Sequence, residues 1–486
     1  MKTEAQNKFR DDFFWYIIGT IIPMSVAFVS SPIFTRHFSP VDYGNYTLVF
    51  ITFNYLSIVT LTWISSCFWR FYPKYRDTDK IKHLYSSILY LIMAAFLFIF
   101  IFSIILYYRY TDIQIKRLVL FAGLNVVTNE ILNIINIPIR YEGRARFYNT
   151  VNIVKSLTAF SILIVLTFIL GQGIESFLIS SSFVNIVLIV IIIMLIKGRE
   201  WFRPLKPDLV LIKEVFNYGK MGMIANIGLL ILINSDRYLI GIYYNKDSVG
   251  IYNQLYNLAQ LSVASVINIF FAAVNPVYLN ILENVRKERN LITAKYYALF
   301  SLVLIPVTVY FSLFTNEICH IMLGERFRFG QSYLPAIMFS SLLYGYALFH
   351  ETRLKFNDKI VKVLLGTLFA GLLNLVLNFI VLPGRNYFYA SITTFVSYLF
   401  LFIYLFLHDN FRIHDLIRFK NIYIRIIGIL VAEILIYYVI KRHIGLNEIH
   451  IGFSIVEGMV FSFIYFIIIY FSRPFKLLME SLKLQH

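Results

Sequence analysis

Two opposite charges stand next to each other inside an apolar stretch of this chain. Asp236 and Arg237 lie near the end of a run over 221–244 that is long enough to cross a bilayer. Charges at membrane depth are costly, so they usually face a protein interior or a water-filled cavity. An arginine forms planar, bidentate bonds to phosphate and stays charged when partly buried. The two residues therefore indicate either an anion-binding site or an internal ion pair.

The surroundings of these charges are repeated near the start of the chain. Aligning Gly44 with Gly250 also aligns Tyr46 with Tyr252, and each motif follows an apolar run and a short polar turn. The chain therefore contains two copies of one membrane unit. Internal repeats of this kind are typical of transporters that bind their substrate between the two halves.

The composition places these motifs in a membrane protein. Of the 486 residues, 59% are hydrophobic and only 15% are charged, and the mean hydropathy is +0.70. A soluble domain is nearer half apolar and a quarter charged. We therefore predict an all-α, polytopic membrane protein with about 14 transmembrane helices, not a barrel of short alternating strands. The predicted spans are residues 13–35, 46–69, 84–107, 118–139, 150–170, 175–196, 217–243, 250–277, 295–315, 331–352, 361–382, 387–407, 421–440 and 450–472.

The spacing of the spans divides the chain into four segments. The first six spans form an N-lobe at 1–200, and the next six form a C-lobe at 217–410. A connector with an interfacial helix joins them at 201–216, and an appended segment at 411–486 holds the last two spans. Because six is an even number of crossings, both lobes begin on the same side of the membrane. They are predicted to be parallel repeats, related by an axis along the membrane normal.

The charge distribution predicts the orientation. The chain carries 44 Lys and Arg against 27 Asp and Glu, a formal net charge of +17. With the N-terminus inside, Lys and Arg are far more frequent in the cytoplasmic segments than in the external loops, as in most membrane proteins. Both termini are therefore predicted to be cytoplasmic, and the positive charge needs no nucleic-acid partner. Cys67 and Cys319 lack the spacing of a disulfide framework or a zinc site, so we predict neither a metal nor a cofactor.

Amides recur at helical spacing on one face of several spans. Asn257 and Asn268 belong to such a stripe in the eighth span, and similar stripes occur in the fourth and the eleventh. In a membrane, a polar stripe faces either another helix or water. Stripes in both lobes favour a hydrated central cavity, with helix–helix contact as the alternative.

The repeated motifs resemble those of a known transporter family. Residues 34–46 are similar to the first-loop pattern of Wzx-type polysaccharide flippases, 234–241 and 249–253 to the pattern after their seventh span, and 70–73 to the exit of their second span. This family belongs to the multidrug/oligosaccharidyl-lipid/polysaccharide (MOP) superfamily. The resemblance implies a V-shaped pair of lobes that alternates between inward-open and outward-open states. It also implies a polyprenyl-diphosphate-linked oligosaccharide as substrate, moved from the inner to the outer leaflet.

The resemblance also suggests roles for individual residues. A diphosphate is an anion that Arg and Lys side chains would bind, while amides would bind the sugars. The predicted substrate-binding residues are Arg36, Arg70, Lys155, Lys220, Arg237, Arg353, Asn257 and Asn268. Ion coupling would use acids near the cavity, and the predicted coupling residues are Glu130, Asp236 and Glu351. No phosphate-binding loop of the ATPase type is present, so we expect a transporter that is not an enzyme and not driven directly by ATP.

The expected partners and location follow from the same resemblance. The partners would be the lipid-linked oligosaccharide, the membrane lipids, and the polymerase and assembly proteins of a surface polysaccharide. The protein is expected to be a monomer in the inner, cytoplasmic membrane. Nucleic acid is not among the expected partners.

Three other functions stay open at this point. A cation-coupled multidrug exporter of the same superfamily would need a site rich in carboxylates and aromatics, whereas Arg and Lys are at least as prominent here. A membrane-embedded glycosyltransferase or polymerase would have a large external loop, and the outer loops here are short. A flippase for the lipid precursor of peptidoglycan is close in mechanism, and the sequence separates it poorly from a polysaccharide flippase.

Overall fold

The computed structural model describes residues 2–195, 205–284, 289–443 and 451–483, and these residues form helices and connecting turns without a strand. Within these described residues, fourteen helices are long and apolar enough to cross a membrane, which confirms the predicted all-α, polytopic fold. They are α1 (Phe14–His37), α2 (Pro40–Tyr75), α3 (Lys80–Arg109), α4 (Ile113–Tyr141), α5 (Ala145–Ile169), α6 (Ser176–Leu195), α7 (Leu209–Tyr243), α8 (Lys246–Asn275), α9 (Arg289–Leu313), α10 (Gln331–Phe356), α11 (Ile360–Gly384), α12 (Tyr387–His408), α13 (Lys420–Lys441) and α14 (Gly452–Phe471). Shorter helices lie at Thr315–Met322, Ile413–Ile417 and Arg473–Lys483.

In the part of the chain that the structure describes, three of the spans contain a π-helical turn. These turns lie at Ile58–Thr62 in α2, Val165–Ile169 in α5 and Gln260–Ala264 in α8. A π-turn interrupts the regular ladder of hydrogen bonds and frequently occurs at functional sites. The turns in α2 and α8 fall in corresponding spans of the two repeats, so the repeats share this irregularity in addition to their loops.

The chain forms two compact units, residues 1–253 and 254–486. In unit 1, α1 packs against α5, α4 packs against α2 and α6, and the second half of α2 packs against α7. The division falls inside α8, and the lobe boundaries expected from the sequence stay a prediction. Residues 209–216, where the interfacial helix was expected, are the first turns of α7. The earlier part of the expected connector, 201–204, lies outside the described residues.

In unit 2, the last two spans pack onto α9. Ala298 and Leu302 of α9 share one apolar cluster with Ile426 of α13 and with Tyr465 and Ile469 of α14. Tyr465 Oη also donates a hydrogen bond of 2.9 Å to the carbonyl of Leu302. Between helices in lipid, close packing and interhelical hydrogen bonds provide most of the attraction. These contacts therefore hold α13 and α14 against α9.

The outward-facing surfaces of the helices are apolar. Met93, Leu97 and Ile105 of α3 are about half exposed or more, and so are Met459 and Phe463 of α14. Extended apolar surface on a soluble protein would mark a binding site or cause aggregation. On long apolar helices it is the surface that contacts lipid, and the chain is a multi-pass membrane protein.

Candidate functional site

The two repeated loops meet each other in unit 1 through a pair of glycines. A Cβ atom on Gly44 would lie 2.0 Å from the carbonyl oxygen of Lys246, and one on Gly250 would lie 2.0 Å from the carbonyl oxygen of Pro40. The alignment that pairs Gly44 with Gly250 also pairs Pro40 with Lys246. The two contacts are therefore equivalent, and each repeat places its glycine against the first residue of the other repeat's second helix. Only glycine leaves room for so close a backbone approach.

Side-chain caps fix the start of both of these helices. Ser39 and Asp42 form a reciprocal capping box, in which the Asp42 amide donates to Ser39 Oγ at 3.2 Å and the Ser39 amide donates to Asp42 Oδ2 at 2.9 Å. Gln114 of α4 donates to the other Asp42 oxygen at 2.6 Å. In the second repeat, the Ser248 amide donates to Asn245 Oδ1 at 2.8 Å. The polar residues of both motifs thus cap the first turns of α2 and α8. These first turns contact each other through Gly44 and Gly250, and we call this contact the crossing.

Asp236 and Arg237 form an ion pair that is closed off from solvent in unit 1. Arg237 Nη1 lies 2.9 Å from Asp236 Oδ1, and the two side chains are 2% and 0% exposed. Tyr252 Oη donates to Asp236 Oδ2 at 2.7 Å, and Arg237 Nε donates to Asn253 Oδ1 at 3.1 Å. A further Arg237 hydrogen bond goes to the carbonyl of Ile233. This network ties α7 to α8, and the charge of Arg237 is already balanced within it.

Arg353 belongs to a second buried network, which lies in unit 2. Its Nε is 2.7 Å from Asp409 Oδ2, and its Nη2 donates to Asn290 Oδ1 at 2.7 Å. His350 Nδ1 lies 2.8 Å from the same aspartate oxygen, and His350 Nε2 lies 2.5 Å from Tyr297 Oη. Breaking a buried pair by removing one partner is strongly destabilising, because the other charge stays buried. Arg353 therefore links α9, α10 and the end of α12, and Asp409 already balances its charge.

Lys155 and Glu130 occupy the middle of their helices in unit 1. At 1.5 Å per residue, Lys155 lies about 15 Å from the start of α5, and Glu130 lies about 16 Å from the end of α4. Lys155 Nζ donates to Asn129 Oδ1 at 2.8 Å, and Thr62 Oγ1 donates to Glu130 Oε1 at 3.4 Å. The other Glu130 oxygen is buried without a hydrogen-bond partner among the described residues. These side chains form a half-buried polar patch at membrane depth, beside the π-turn of α2.

The remaining predicted cations have neutral groups among their contacts. Arg36 donates to a carbonyl one turn earlier in α1 at 2.7 Å, and Lys220 donates to an amide of α7 at 3.3 Å. The guanidinium of Arg70 lies 6.0 Å from the centre of a tyrosine ring of α7. All three side chains are exposed within the chain. Their predicted role in binding the substrate stays a prediction.

Three predicted residues of unit 2 lie nearer its surface. Glu351 forms an ion pair of 2.5 Å with Lys355, one turn further along α10. Asn257 and Asn268 of α8 are exposed on unit 2. The Lys355 side chain of this pair is half exposed, whereas the Glu351 side chain is only 16% exposed. The roles predicted for these residues also remain predictions.

The structure adds residues that the sequence did not single out. Asp409, immediately after α12, is the acid that holds both Arg353 and His350. Arg140, at the end of α4, has its guanidinium 4.9 Å from the Trp69 ring and 4.8 Å from the Tyr148 ring. The sequence alone does not reveal such a sandwich, because Trp69 is far from Arg140 along the chain. Both aromatic rings orient this guanidinium while its side chain remains exposed.

Residues 33–329, more than half of the chain, match a protein family described as polysaccharide biosynthesis protein. The chain belongs to this family. Both repeated loops and the Asp236–Arg237 pair fall within the matched residues. No curated protein matches the chain in sequence.

Several solved structures of membrane proteins have a fold similar to that of this chain. The lipid II flippase MurJ in an inward-closed conformation has a TM-score of 0.66 at 16% identity, over 94% of this chain and 98% of that one. A multidrug resistance MATE transporter in its inward-facing conformation gives 0.60 at 15%, over 84% and 94%. A MOP superfamily transporter from Pyrococcus furiosus gives 0.60 at 15%, over 83% and 96%. At these identities the likeness is one of fold: the chain shares its fold with transporters of the MOP superfamily, while the family match itself bears out the predicted polysaccharide family.

Proposed function

We propose that this family member moves a polyprenyl-diphosphate-linked oligosaccharide from the inner to the outer leaflet of the cytoplasmic membrane, by alternating access. The observation that carries the proposal is the polar patch of Lys155, Glu130, Asn129 and Thr62, combined with the family's role in polysaccharide biosynthesis. Charged side chains at membrane depth face protein or water, not lipid. A lipid-linked anion that crosses the membrane would meet such a patch on its way.

A cation can receive a diphosphate more readily when no carboxylate is already hydrogen-bonded to it. Arg237 and Arg353 are held by aspartates, and binding a phosphate there would require breaking a buried pair. Lys155 hydrogen-bonds to a neutral amide, and Glu130 attracts it without a hydrogen bond, so an incoming phosphate would gain a charge-assisted hydrogen bond without breaking a hydrogen-bonded ion pair. We therefore assign the diphosphate to Lys155 at the middle of its path, with Arg70 and Arg36 as contacts towards the two ends of that path. Arg237 and Arg353 hold helices together in this scheme.

The sugars and the lipid tail need different surroundings. Asn129, beside Lys155, and Asn133, one turn further along α4, offer amides to sugar hydroxyls. The polyprenyl tail stays in the bilayer, against the apolar outer faces of the helices. Proton or ion coupling would involve Glu130, which has a buried oxygen without a partner among the described residues.

The orientation and partners are part of the same proposal. Both termini would be cytoplasmic, as the Lys and Arg distribution predicts. The protein would work as a monomer beside the polymerase and assembly proteins that use its product. The energy source would not be ATP acting directly.

Cells in which this protein is depleted provide the test. We expect loss of a surface polysaccharide and accumulation of its lipid-linked repeat unit in the inner leaflet, where an added membrane-impermeant glycosidase cannot reach it. The wild-type chain should restore both, and Lys155→Ala should not, although it is inserted at normal levels. Lys82→Ala, which removes an exposed cation from the same unit, is the matched control and should restore both.

Other outcomes identify the competing functions. Intact surface polysaccharide with sensitivity to cationic dyes would favour a multidrug exporter. Accumulation of a peptidoglycan precursor with cell lysis would favour a flippase for that lipid. Full activity of Lys155→Ala would remove Lys155 from the substrate site.

A further inference from the structure

Three glutamates in unit 2 are buried within the layer of helices that contains the appended spans. Glu433 of α13 is 4% exposed, Glu457 of α14 is 9% exposed, and Glu317 of the short helix Thr315–Met322 is 6% exposed. We call these three side chains the acidic cluster. Acids buried at membrane depth are rare and usually take part in ion pathways or proton relays.

The hydrogen bonds made by the acidic cluster leave one oxygen of each glutamate unsatisfied. Ser454 Oγ, one turn before Glu457 on α14, donates to Glu317 Oε1 at 3.3 Å. Tyr310 Oη of α9 donates to Glu433 Oε2 at 2.6 Å. The opposite oxygens, Glu317 Oε2 and Glu433 Oε1, and also Glu457 Oε1, are buried without a hydrogen-bond partner in the described chain. A buried carboxylate oxygen without a donor is costly, and the cost disappears when a proton binds.

The charges around the acidic cluster do not balance among the described residues. Ser454, which hydrogen-bonds to Glu317, lies one turn from Glu457 on α14, so the charges of Glu317 and Glu457 repel each other, and Lys441 attracts both acids. Lys441 Nζ donates to Tyr437 Oη at 3.2 Å, on the same face of α13 as Glu433. Among the described residues, the titratable groups that face the cluster are Tyr310, Tyr437, Lys441, Tyr465 and Cys319. Three carboxylates thus face one ammonium, and two acids at this proximity do not both ionise readily.

We propose that the acidic cluster is a reversible proton-binding site in the pair of spans that follows the two repeats. When a proton binds to Glu317 or Glu457, that carboxyl becomes neutral, and the repulsion between the two acids disappears. The proton comes from water at the end of α13 that carries Lys441, about 12 Å from Glu433 at 1.5 Å per residue. The chain Lys441, Tyr437 and Glu433 occupies successive turns of one helix face along this distance.

The arrangement favours a proton over a metal ion. No group of three His, Cys, Asp or Glu side chains in the described residues is placed to hold a metal. The acids come from three helices and are spread along α13 and α14, instead of converging on one point. A proton needs only one carboxyl, and each of the three glutamates offers a buried oxygen without a hydrogen-bond partner in the described chain.

Infrared spectroscopy of the purified, full-length protein tests this site, because a protonated carboxyl has its own C=O stretching band. We expect the wild type to show that band at neutral pH and to lose it as the pH is raised. Glu457→Gln should abolish or weaken the change and reduce the number of protons released per molecule in the same pH step. Glu325→Gln, which alters an exposed glutamate of the same unit, is the control and should behave as the wild type.

The design separates a proton site from a purely structural one. Glutamine has nearly the shape of a protonated glutamate, so Glu457→Gln should stay folded, and Glu317→Gln provides a second variant with the same expectation. A band that is present at every pH would show permanently protonated structural acids and would overturn the proposal. Equal spectra for Glu457→Gln, Glu317→Gln and the wild type would also overturn it. A band that is removed by Na⁺ at constant pH would assign the site to that cation instead.

Discussion

Replacing Gly44 by alanine should force apart the first turns of α2 and α8. The new Cβ would meet the Lys246 carbonyl oxygen at 2.0 Å, whereas ordinary contacts begin at 3.4 Å, so the two backbones must separate by about 1.4 Å. A backbone oxygen cannot rotate away as a flexible side chain can. Overpacking of this kind typically costs about 1–3 kcal/mol. We expect Gly44→Ala to lower the free energy of unfolding by an amount in this range.

The symmetry of the crossing makes the double variant more informative than either single one. Gly250→Ala produces the equivalent clash with Pro40, at the same distance. Both clashes are relieved by the same separation of α2 and α8, so the second substitution should cost less than the first. The predicted result is a double variant that is clearly more stable than the sum of the single effects would give.

Unfolding by SDS titration in mixed micelles measures these differences. Gly222→Ala in α7 is the matched control, because a Cβ there has no atom within 4 Å. Since alanine is about 1 kcal/mol better than glycine within a helix, this control should be as stable as the wild type or slightly more stable. Wild-type stability for Gly44→Ala, or strictly additive costs in the double variant, would refute the close crossing.

Three further predictions concern topology and the two buried networks. A reporter fused after His486 should read as cytoplasmic, and cysteines introduced at Gly173 and Arg385 should react with an impermeant maleimide from outside. Background labelling of the native Cys67 and Cys319 should be low, because both are buried. Burial also raises the pKa of the Cys319 thiol to about 12. Arg237→Ala should reduce the level of folded protein by several-fold, because Asp236 is left buried without its partner. The double variant Asp236→Asn with Arg237→Gln should recover both the protein level and transport. If the double variant recovers the protein level but not transport, Arg237 binds the substrate. Arg353→Ala should destabilise the protein by about 3–5 kcal/mol in thermal or SDS unfolding, and Asp409→Asn in the same chain should remove part of that loss.

The fold could be predicted because its signals are local in the sequence. A span is a run of about 20 apolar residues, and each run can be found without knowing its neighbours. The repeat was visible because Gly44 and Gly250 have the same surroundings. Its physical reason is the crossing, which requires glycine at both positions and a helix cap just before each. The predicted fold and family were therefore correct, although the sequence could not indicate that the two motifs touch each other.

The partners of the charged residues could not be predicted, because they depend on contacts between distant parts of the chain. Arg353 and Asp409 are paired across two spans, and nothing near Arg353 in the sequence indicates that its charge is balanced. The sequence did place Asp236 beside Arg237, and there the structure has the pair that their adjacency suggested. Glu433 and Glu457 could have been found by the reasoning that found Asp236, because each is an acid inside an apolar span.

The buried charges of this protein therefore divide into two kinds with different consequences. The Asp236–Arg237 and Arg353–Asp409 pairs are each neutral, and a neutral pair has little net attraction for an incoming ion. Such pairs have a structural role: one holds α7 against α8, and the other holds α9 and α10 against the end of α12. Glu130 and the acidic cluster have oxygens without a hydrogen-bond partner in the described chain, and Lys155 hydrogen-bonds to an amide instead of a carboxylate. Groups of this second kind gain free energy when an ion or a proton satisfies them. The search for the substrate and for the coupling ion should begin at these groups, even though the arginines first attract attention in the sequence.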